Sequence, residues 1–127
     1  MNFNSILIGS ENPEGLVEYY TKLFGAPAFQ EGGYSGWQLG SGNISIGPHS
    51  EVHGKNVHPG RLLWNLETAD VRGDFAKLKA AGAIVIREPY EMDEAPGFAI
   101  ATLADPDDNY FQLTAPYESM GGGAASA

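Results

Sequence analysis

A pattern of one strand, one helix and three strands occurs twice along this chain, and the repeat constrains the fold more than any other feature. The predicted helices end at Gly25 and Gly82, so the two copies are about 57 residues apart. Both helices also carry Lys-Leu near their ends, at Lys22 and at Lys77. The repeat predicts an α+β fold of two βαβββ modules, about residues 1–50 and 60–117, in a single domain over residues 1–117.

The first copy begins with a short apolar strand over Phe3–Gly9, in which Ile6 and Ile8 face the core. Asn12 is a typical helix cap and Pro13 a typical first helical residue, so we predict that the first helix starts there. The apolar stripe of this helix is Leu16, Val17, Tyr20, Leu23 and Phe24, and the three strands after it are Ala28–Gln30, Tyr34–Leu39 and Asn43–Gly47. Glycine-rich turns separate these strands.

The second copy follows a loop over Pro48–Gly60 that is rich in glycine, proline and histidine. A strand over Arg61–Glu67 comes first, in which Leu62 faces the core, and Asp70 then caps the second helix. The strands predicted after this helix are Ala83–Arg87, Phe98–Leu103 and Tyr110–Thr114. Between the first two lies a polar loop, Glu88–Gly97, which is either a lid or simply a solvated connection.

The turn at Asp105–Asn109 brings together residues that favour tight turns, because proline presets φ and aspartate and asparagine tolerate left-handed backbone. After the turn the side chains alternate, with Phe111 and Leu113 on one side and Tyr110 and Gln112 on the other. This period of two indicates a half-buried strand. One face of the strand is predicted to pack, and the other is free for a ligand.

The run Asp-Pro-Asp-Asp-Asn at this turn resembles the Asp-Pro-Asp-Gly-Asn hairpin of the vicinal oxygen chelate superfamily, which includes lactoylglutathione lyases, bleomycin resistance proteins and extradiol dioxygenases. Asp108 stands in the place of the glycine, and aspartate accepts the left-handed conformation at some cost. The segment Glu18–Gly25 is similar to the end of the family's first helix. The resemblance covers Phe3 to Pro116 and implies a glyoxalase-like domain, with a curled mixed sheet around a central cleft and the helices outside.

Metal-dependent members of this family place one ligand, usually His or Glu, on the first and last strand of each module. The resemblance puts these positions at Ser5, at Ser45 or a neighbour of it, at Leu63 and at Gln112. Hydroxyl, alkyl and neutral amide groups cannot replace imidazole or carboxylate ligands of zinc, nickel or iron, so we predict no cofactor. A divalent metal held by the loop residues His49, His53 and His58 is a weaker alternative, because loop histidines are more often simply solvated.

The faces that remain after packing supply the candidate site residues. With the expected sheet pairing, the ligand-binding cleft is lined by Ser5, Leu7, Gln38, Leu63, Asn65, Glu67, Tyr110 and Gln112. In a desolvated cleft Glu67 could act as a general base, with Asn65 and Gln112 holding an oxyanion; at a strand end in water it would have no such role. Trp37 and Trp64 fall on faces that are predicted to pack in the core rather than to stack on a ligand.

Composition excludes several classes of function. The chain contains no cysteine, so disulfides, thiolate ligands and a cysteine nucleophile are excluded. The formal net charge of −9 at pH 7 repels phosphate backbones and anionic membranes, so no nucleic acid or membrane partner is expected. The same charge either only keeps the protein soluble or attracts a cationic small molecule. The beginning of the chain lacks a signal-like apolar region, and a cytoplasmic location is therefore expected. Residues 118–127 are predicted to be a flexible tail.

The predicted function is the binding of a small organic molecule, cationic or aromatic, in a cleft without a family-type metal. By binding the ligand the protein would sequester it, as bleomycin resistance proteins do. One alternative is an enzyme, either a lyase or isomerase related to lactoylglutathione lyase or a dioxygenase-like member, metal-free with Glu67 as base or with a non-standard metal site. Another alternative is a structural or regulatory dimer with no ligand. Single-domain members commonly pair, so the resemblance also implies a homodimer.

Overall fold

The helices and strands occur in the order that the repeat predicts, in a computed structural model that describes residues 1–117. They are β1 (Ser5–Ser10), α1 (Pro13–Phe24), β2 (Phe29–Glu31), β3 (Tyr34–Leu39), β4 (Gly42–Pro48), β5 (Trp64–Glu67), α2 (Val71–Ala80), β6 (Ile84–Glu91), β7 (Ala99–Ala104) and β8 (Tyr110–Thr114). The prediction of an α+β fold with two βαβββ modules is confirmed. The predicted flexible tail, residues 118–127, lies outside the described residues.

Contacts along the chain define two units. Of the described residues, the first unit contains 1–57 together with 105–108, and the second contains 58–104 together with 109–117. The turn after β7 therefore belongs to the first unit, although the strands that it joins belong to the second. Among the described residues, no helix is both long enough and apolar enough to cross a membrane.

Both helices begin at the caps that the sequence predicts. The Asn12 side chain accepts a hydrogen bond from the Gly15 amide at 3.3 Å, and the Asp70 side chain accepts one from the Gly73 amide at 3.0 Å. These bonds satisfy amide groups of the first turn that have no partner within the helix. Gly25, with φ of 87°, ends α1 in a conformation that favours glycine.

The first unit contains a four-stranded sheet in the order β1-β4-β3-β2, with β1 and β4 parallel and the other pairs antiparallel. One face is buried: Ile8, Ile46 and Ser35 form one row across the strands, and Ile44 and Trp37 form the next. Helix α1 packs on this sheet. Its Tyr20 ring lies 6.2 Å from the ring of Trp37, so the buried face is the one that meets the helix.

The second unit repeats this arrangement with the order β5-β8-β7-β6, in which β5 and β8 are parallel. Phe111 and Leu113 of β8 are buried on the face that packs, and α2 contributes the buried Val71 and Phe75. The Trp64 ring stacks on the Phe111 ring, with centroids 4.6 Å apart. The prediction that the tryptophans pack in the core is confirmed for Trp37, which is buried, whereas Trp64 packs on Phe111 and is only half-buried.

The predicted start of the fifth strand was wrong. β5 begins at Trp64 rather than at Arg61, and Leu62, which was expected to face the core, is 83% exposed. The residues before Trp64 form no ladder with β8, so the alternation that continues back to Leu62 has no structural meaning there. Leu63, a predicted cleft residue, also precedes the strand.

The predicted end of the sixth strand was also wrong. β6 runs to Glu91, so the polar loop expected from Glu88 begins only at Met92. Two irregularities interrupt the pairing of β6 with β7, and Pro89 lies within the second of them. Proline is tolerated at such irregularities of an edge strand, which is why the strand continues past it.

Candidate functional site

The turn at Asp105–Asn109 contains a fully buried carboxylate. Asp105 Oδ2 accepts a hydrogen bond from the Tyr20 hydroxyl at 2.8 Å, and Oδ1 accepts one from the Asp107 amide at 2.8 Å. Burial and the Asp105 carboxylate raise the pKa of Tyr20, so the phenol stays protonated and donates. Asp108 has φ of 62°, the left-handed conformation predicted for the residue that replaces glycine.

A second carboxylate of the turn binds the end of β1. The buried Ser10 hydroxyl donates to Asp107 Oδ2 at 2.6 Å and accepts from the Asn12 amide at 2.9 Å. The Asp107 carbonyl accepts from the Asn56 amide at 2.8 Å. Asp105 and Asp107 thus connect helix, strand and loop of the first unit, so the motif that carries the family resemblance has a structural role. The sequence pattern alone did not indicate these long-range bonds, although a buried tyrosine needs a hydroxyl partner.

The exposed face of the first sheet carries the predicted cleft residues Ser5, Leu7 and Gln38, and all three are exposed. The same face presents two aromatic rings that the sequence analysis did not select. The Phe29 ring covers Gly36 and the Tyr34 ring covers Gly47, since a Cβ at either glycine would overlap the ring. Leu7, Phe29 and Tyr34 remain 55%, 48% and 38% exposed, and we call this surface the aromatic face.

A pocket of about 430 Å³ opens at the end of β1, next to the aromatic face. It is lined by Ser10, Glu11, Pro48, His49, Ser50, Val52 and His53. The loop after β4 folds over Gly9, where His49 and Val52 occupy the space that a side chain would take. Glu11 fixes this loop by accepting a hydrogen bond from the Gly54 amide at 2.7 Å.

The residues do not fit the metal that the family resemblance implies. The ligand positions hold Ser5, Ser45, Leu63 and Gln112, none of which is an imidazole, carboxylate or thiolate. In residues 1–117 the structure groups no three His, Cys, Asp or Glu side chains in a way that could hold a metal ion, and this includes the three loop histidines. No chemical step is therefore assigned to a metal.

In the second unit the register aligns the remaining predicted cleft residues. Asn65 pairs with Gln112, Glu67 pairs with Thr114, and Tyr110 lies two residues before Gln112, so they share the face opposite α2. Gln112 donates from Nε2 to the Thr102 hydroxyl at 3.2 Å. Glu67 is exposed, so the second unit by itself does not supply the desolvation on which a general base at this position would depend. Ligand binding by these residues remains a prediction.

Comparison with known proteins identifies the family. The model of the glyoxalase-like domain matches residues 5–114. No curated protein matches the chain. Among solved structures, a glyoxalase-related enzyme from Fulvimarina pelagi is similar at 19% identity and a TM-score of 0.70, covering 91% of this chain and 88% of its own.

Two further structures have the same fold. A glyoxalase/bleomycin resistance protein/dioxygenase family enzyme from Burkholderia phytofirmans shares 22% identity at a TM-score of 0.67, over 88% of this chain and 96% of its own. A glyoxalase/bleomycin resistance protein from Catenulispora acidiphila shares 19% identity at a TM-score of 0.67, over 91% and 96%. Such low identities establish the fold alone. The match of the family model over nearly the whole described chain shows that the protein belongs to the glyoxalase-like domain family of the vicinal oxygen chelate superfamily.

Proposed function

We propose that the protein binds a small organic molecule with a planar aromatic part, without a family-type metal and without converting it. Structural neighbours whose names include bleomycin resistance support this choice, since they show that the fold occurs in proteins named for resistance to a compound. The residues at the family's metal-ligand positions support a function without metal chemistry, because none of them is a suitable ligand.

The aromatic face is the observation that carries the proposal. An aromatic ring that covers a glycine of the neighbouring strand stabilises the sheet. One side of the Phe29 ring and one side of the Tyr34 ring make this contact. The other sides remain exposed on a sheet whose opposite face is already buried against α1. Exposed rings held flat on a backbone are pre-organised for stacking, which is favourable by about 1 kcal/mol or somewhat less per aromatic pair beyond area burial.

The net charge of −9 adds a preference for neutral or cationic aromatic ligands. This preference is a long-range effect on encounter, and at physiological salt it is screened beyond roughly 8 Å. Stacking therefore sets the affinity, and the charge sets which aromatic molecules approach fastest.

The proposal is tested with two neutral probes of similar size, planar indole and non-planar cyclohexanol, by nitrogen–proton correlation NMR. We expect indole to shift the resonances of β2, β3 and β4 and to bind at least about fivefold more tightly than cyclohexanol, because each stacked ring contributes about 1 kcal/mol. Phe29→Leu keeps Gly36 covered but removes the ring, and it should abolish most of this preference.

Phe3→Leu is the matched control, because Phe3 is 88% exposed and precedes β1. It should leave the affinity for indole unchanged. Equal binding of the two probes by the wild type, or an unchanged preference in Phe29→Leu, would refute the role of the aromatic face.

An enzymatic function is the second candidate, and one observation favours it: Glu67, Asn65 and Gln112 share one face of the second sheet. The test is the formation of lactoylglutathione from methylglyoxal and glutathione, with and without added nickel or zinc. Turnover that disappears in Glu67→Gln supports the enzyme. Absence of turnover under every condition leaves the binding function as the proposal.

A further inference from the structure

We infer that the face of the second sheet opposite α2 binds a small organic carboxylate, with the exposed Arg87 guanidinium as the anion-binding group. The inference goes beyond the proposed function, because it concerns the second unit alone and does not depend on the aromatic face of the first. It rests on the register of β6, on the position of the guanidinium and on the row of polar side chains beside it.

Two irregularities in the pairing of β6 with β7 decide on which face Arg87 and Tyr90 lie. Val85 pairs with Leu103 on the packed face, and strict alternation would put Arg87 on that same face. One extra residue between them shifts the register, so Arg87 pairs with Thr102 on the opposite face. A second extra residue then brings Tyr90 onto this face as well. Such bulges re-aim side chains and are frequent next to functional sites.

Tyr90 holds the guanidinium in position. Arg87 Cζ lies 3.5 Å from the centroid of the Tyr90 ring, which is a cation–π contact. The ion pairs within residues 1–117 include basic residues such as Arg72 and Lys77, but none of them includes Arg87. A guanidinium that rests on a ring presents its N–H edges sideways, in the fork geometry that matches a planar carboxylate.

The neighbouring strands supply hydrogen-bonding groups in line with Arg87. The row that Arg87 completes holds Thr102 of β7, Gln112 of β8 and Asn65 of β5, each paired with the next. Thr102 is buried, whereas Gln112 is half-buried and Asn65 is exposed. Gln112 uses one amide hydrogen on the Thr102 hydroxyl, and its amide has a second. The backbones of Gln112 and Arg87 are two strand spacings apart, about 10 Å. A ligand a few carbon atoms long can therefore contact both side chains, with a carboxylate at Arg87 and an amide or hydroxyl group at Gln112.

The overall charge does not oppose such a ligand strongly. The net charge of −9 is spread over the whole chain, and its effect is screened beyond roughly 8 Å at physiological salt. At contact distance Arg87 dominates, because charge-assisted hydrogen bonds to a carboxylate are about twice as strong as neutral ones. A phosphate is less suitable, since Glu67 lies on the same face and a dianion needs more than one cation.

The experiment uses three probes with one common amide group: succinamate, succinamide and β-alaninamide, which are anionic, neutral and cationic. Each is titrated into the wild-type protein and followed by nitrogen–proton correlation NMR, which resolves the Arg87 Nε–H and the Gln112 side-chain amide. We expect succinamate to shift both groups and to bind about tenfold more tightly than the other two. Inorganic phosphate is titrated as a fourth probe and should bind more weakly than succinamate.

Three variants test whether Arg87 causes the preference for succinamate over the other two amides. Arg87→Gln should abolish it, and Arg87→Lys should retain only part of it, because lysine keeps the charge but not the planar fork. Lys77→Gln removes one positive charge on α2, where Lys77 pairs with Asp74, and should leave the preference unchanged. Equal binding of the three amides, no binding of succinamate, tighter binding of phosphate, or a preference that survives in Arg87→Gln would overturn the inference. None of these results affects the indole test of the aromatic face.

Discussion

Replacing Tyr20 with phenylalanine tests the structural role of the Asp105 turn most directly. The substitution removes one hydroxyl oxygen and adds no volume, so it isolates the hydrogen bond of 2.8 Å to Asp105 Oδ2. Asp105 is completely buried, and no water replaces the lost donor without rearrangement. A hydrogen bond to a charged group contributes about 1.5–3 kcal/mol, and we therefore expect a loss of about 2 kcal/mol in the free energy of unfolding.

Urea denaturation followed by circular dichroism measures this loss, and in a chain of this size it corresponds to a decrease in Tm of about 5–10 °C. Tyr34→Phe is the matched control, because Tyr34 is 38% exposed and lies on the exposed face of the first sheet; its cost should stay within about 0.5 kcal/mol. The double variant Tyr20→Phe with Asp105→Asn should cost clearly less than the sum of the single variants, since both remove the same contact. A loss of less than about 0.5 kcal/mol in Tyr20→Phe, or strictly additive costs, would show that the buried pair does not stabilise the first unit.

Four further predictions follow from the same structure. The pKa of Tyr20 is raised on folding, so the stabilisation by its protonated phenol is complete below the pKa of unfolded tyrosine and decreases as the pH rises above that value. The free energy of unfolding of the wild type should therefore fall above about pH 10 by up to 1.4 kcal/mol per pH unit. Urea titrations at several pH values should show that Tyr20→Phe lacks this part of the slope. Gly36→Ala should cost about 1–3 kcal/mol because its methyl group meets the Phe29 ring, and adding Phe29→Ala should relieve most of that overlap when the two unfolding curves are compared. Added zinc, nickel, manganese or iron should leave Tm unchanged, and near-stoichiometric metal in elemental analysis of the purified protein would contradict the donor-set argument. Light scattering should give the mass of a homodimer, as the family resemblance implies, and a monomer over the accessible concentration range would refute it.

Features with a local physical cause were predictable from the sequence. The caps Asn12 and Asp70, the alternation around Ile8 and the left-handed Asp108 all depend on residues within one or two turns of chain, and the structure confirms each of them. The boundaries of β5 and β6 were not predictable in this way. β5 begins where its pairing with β8 begins, and a partner so far along the chain leaves no mark on local periodicity. β6 continues past Pro89 because the proline lies within an irregularity of its pairing with β7.

The residues that carry the proposals were missed for a related reason. The sequence shows Phe29 only as a strand residue, and its position opposite Gly36 depends on the register. Arg87 was expected at a strand end, and a bulge after Val85 places it on the face opposite α2. A glycine facing an aromatic residue is a recognisable pair, but only after the register is known. A bulge is even less visible, because one added residue reverses the face of every side chain after it.

The motif that reveals the family and the residues that we propose to bind a ligand are therefore different parts of this molecule. The carboxylates of Asp105 and Asp107 already accept hydrogen bonds from Tyr20, from Ser10 and from the Asp107 amide, so the turn that carries the resemblance stabilises the first unit. Members of one family can share such a turn and still bind unrelated compounds, because function depends on the residues of the site and not on the fold. In our proposals, the residues that distinguish this chain are Phe29, with its partly exposed ring, and Arg87, with its exposed guanidinium. Both lie on the sheet face opposite the helix of their unit. Comparison of family members by these positions, rather than by the turn, should group them by ligand.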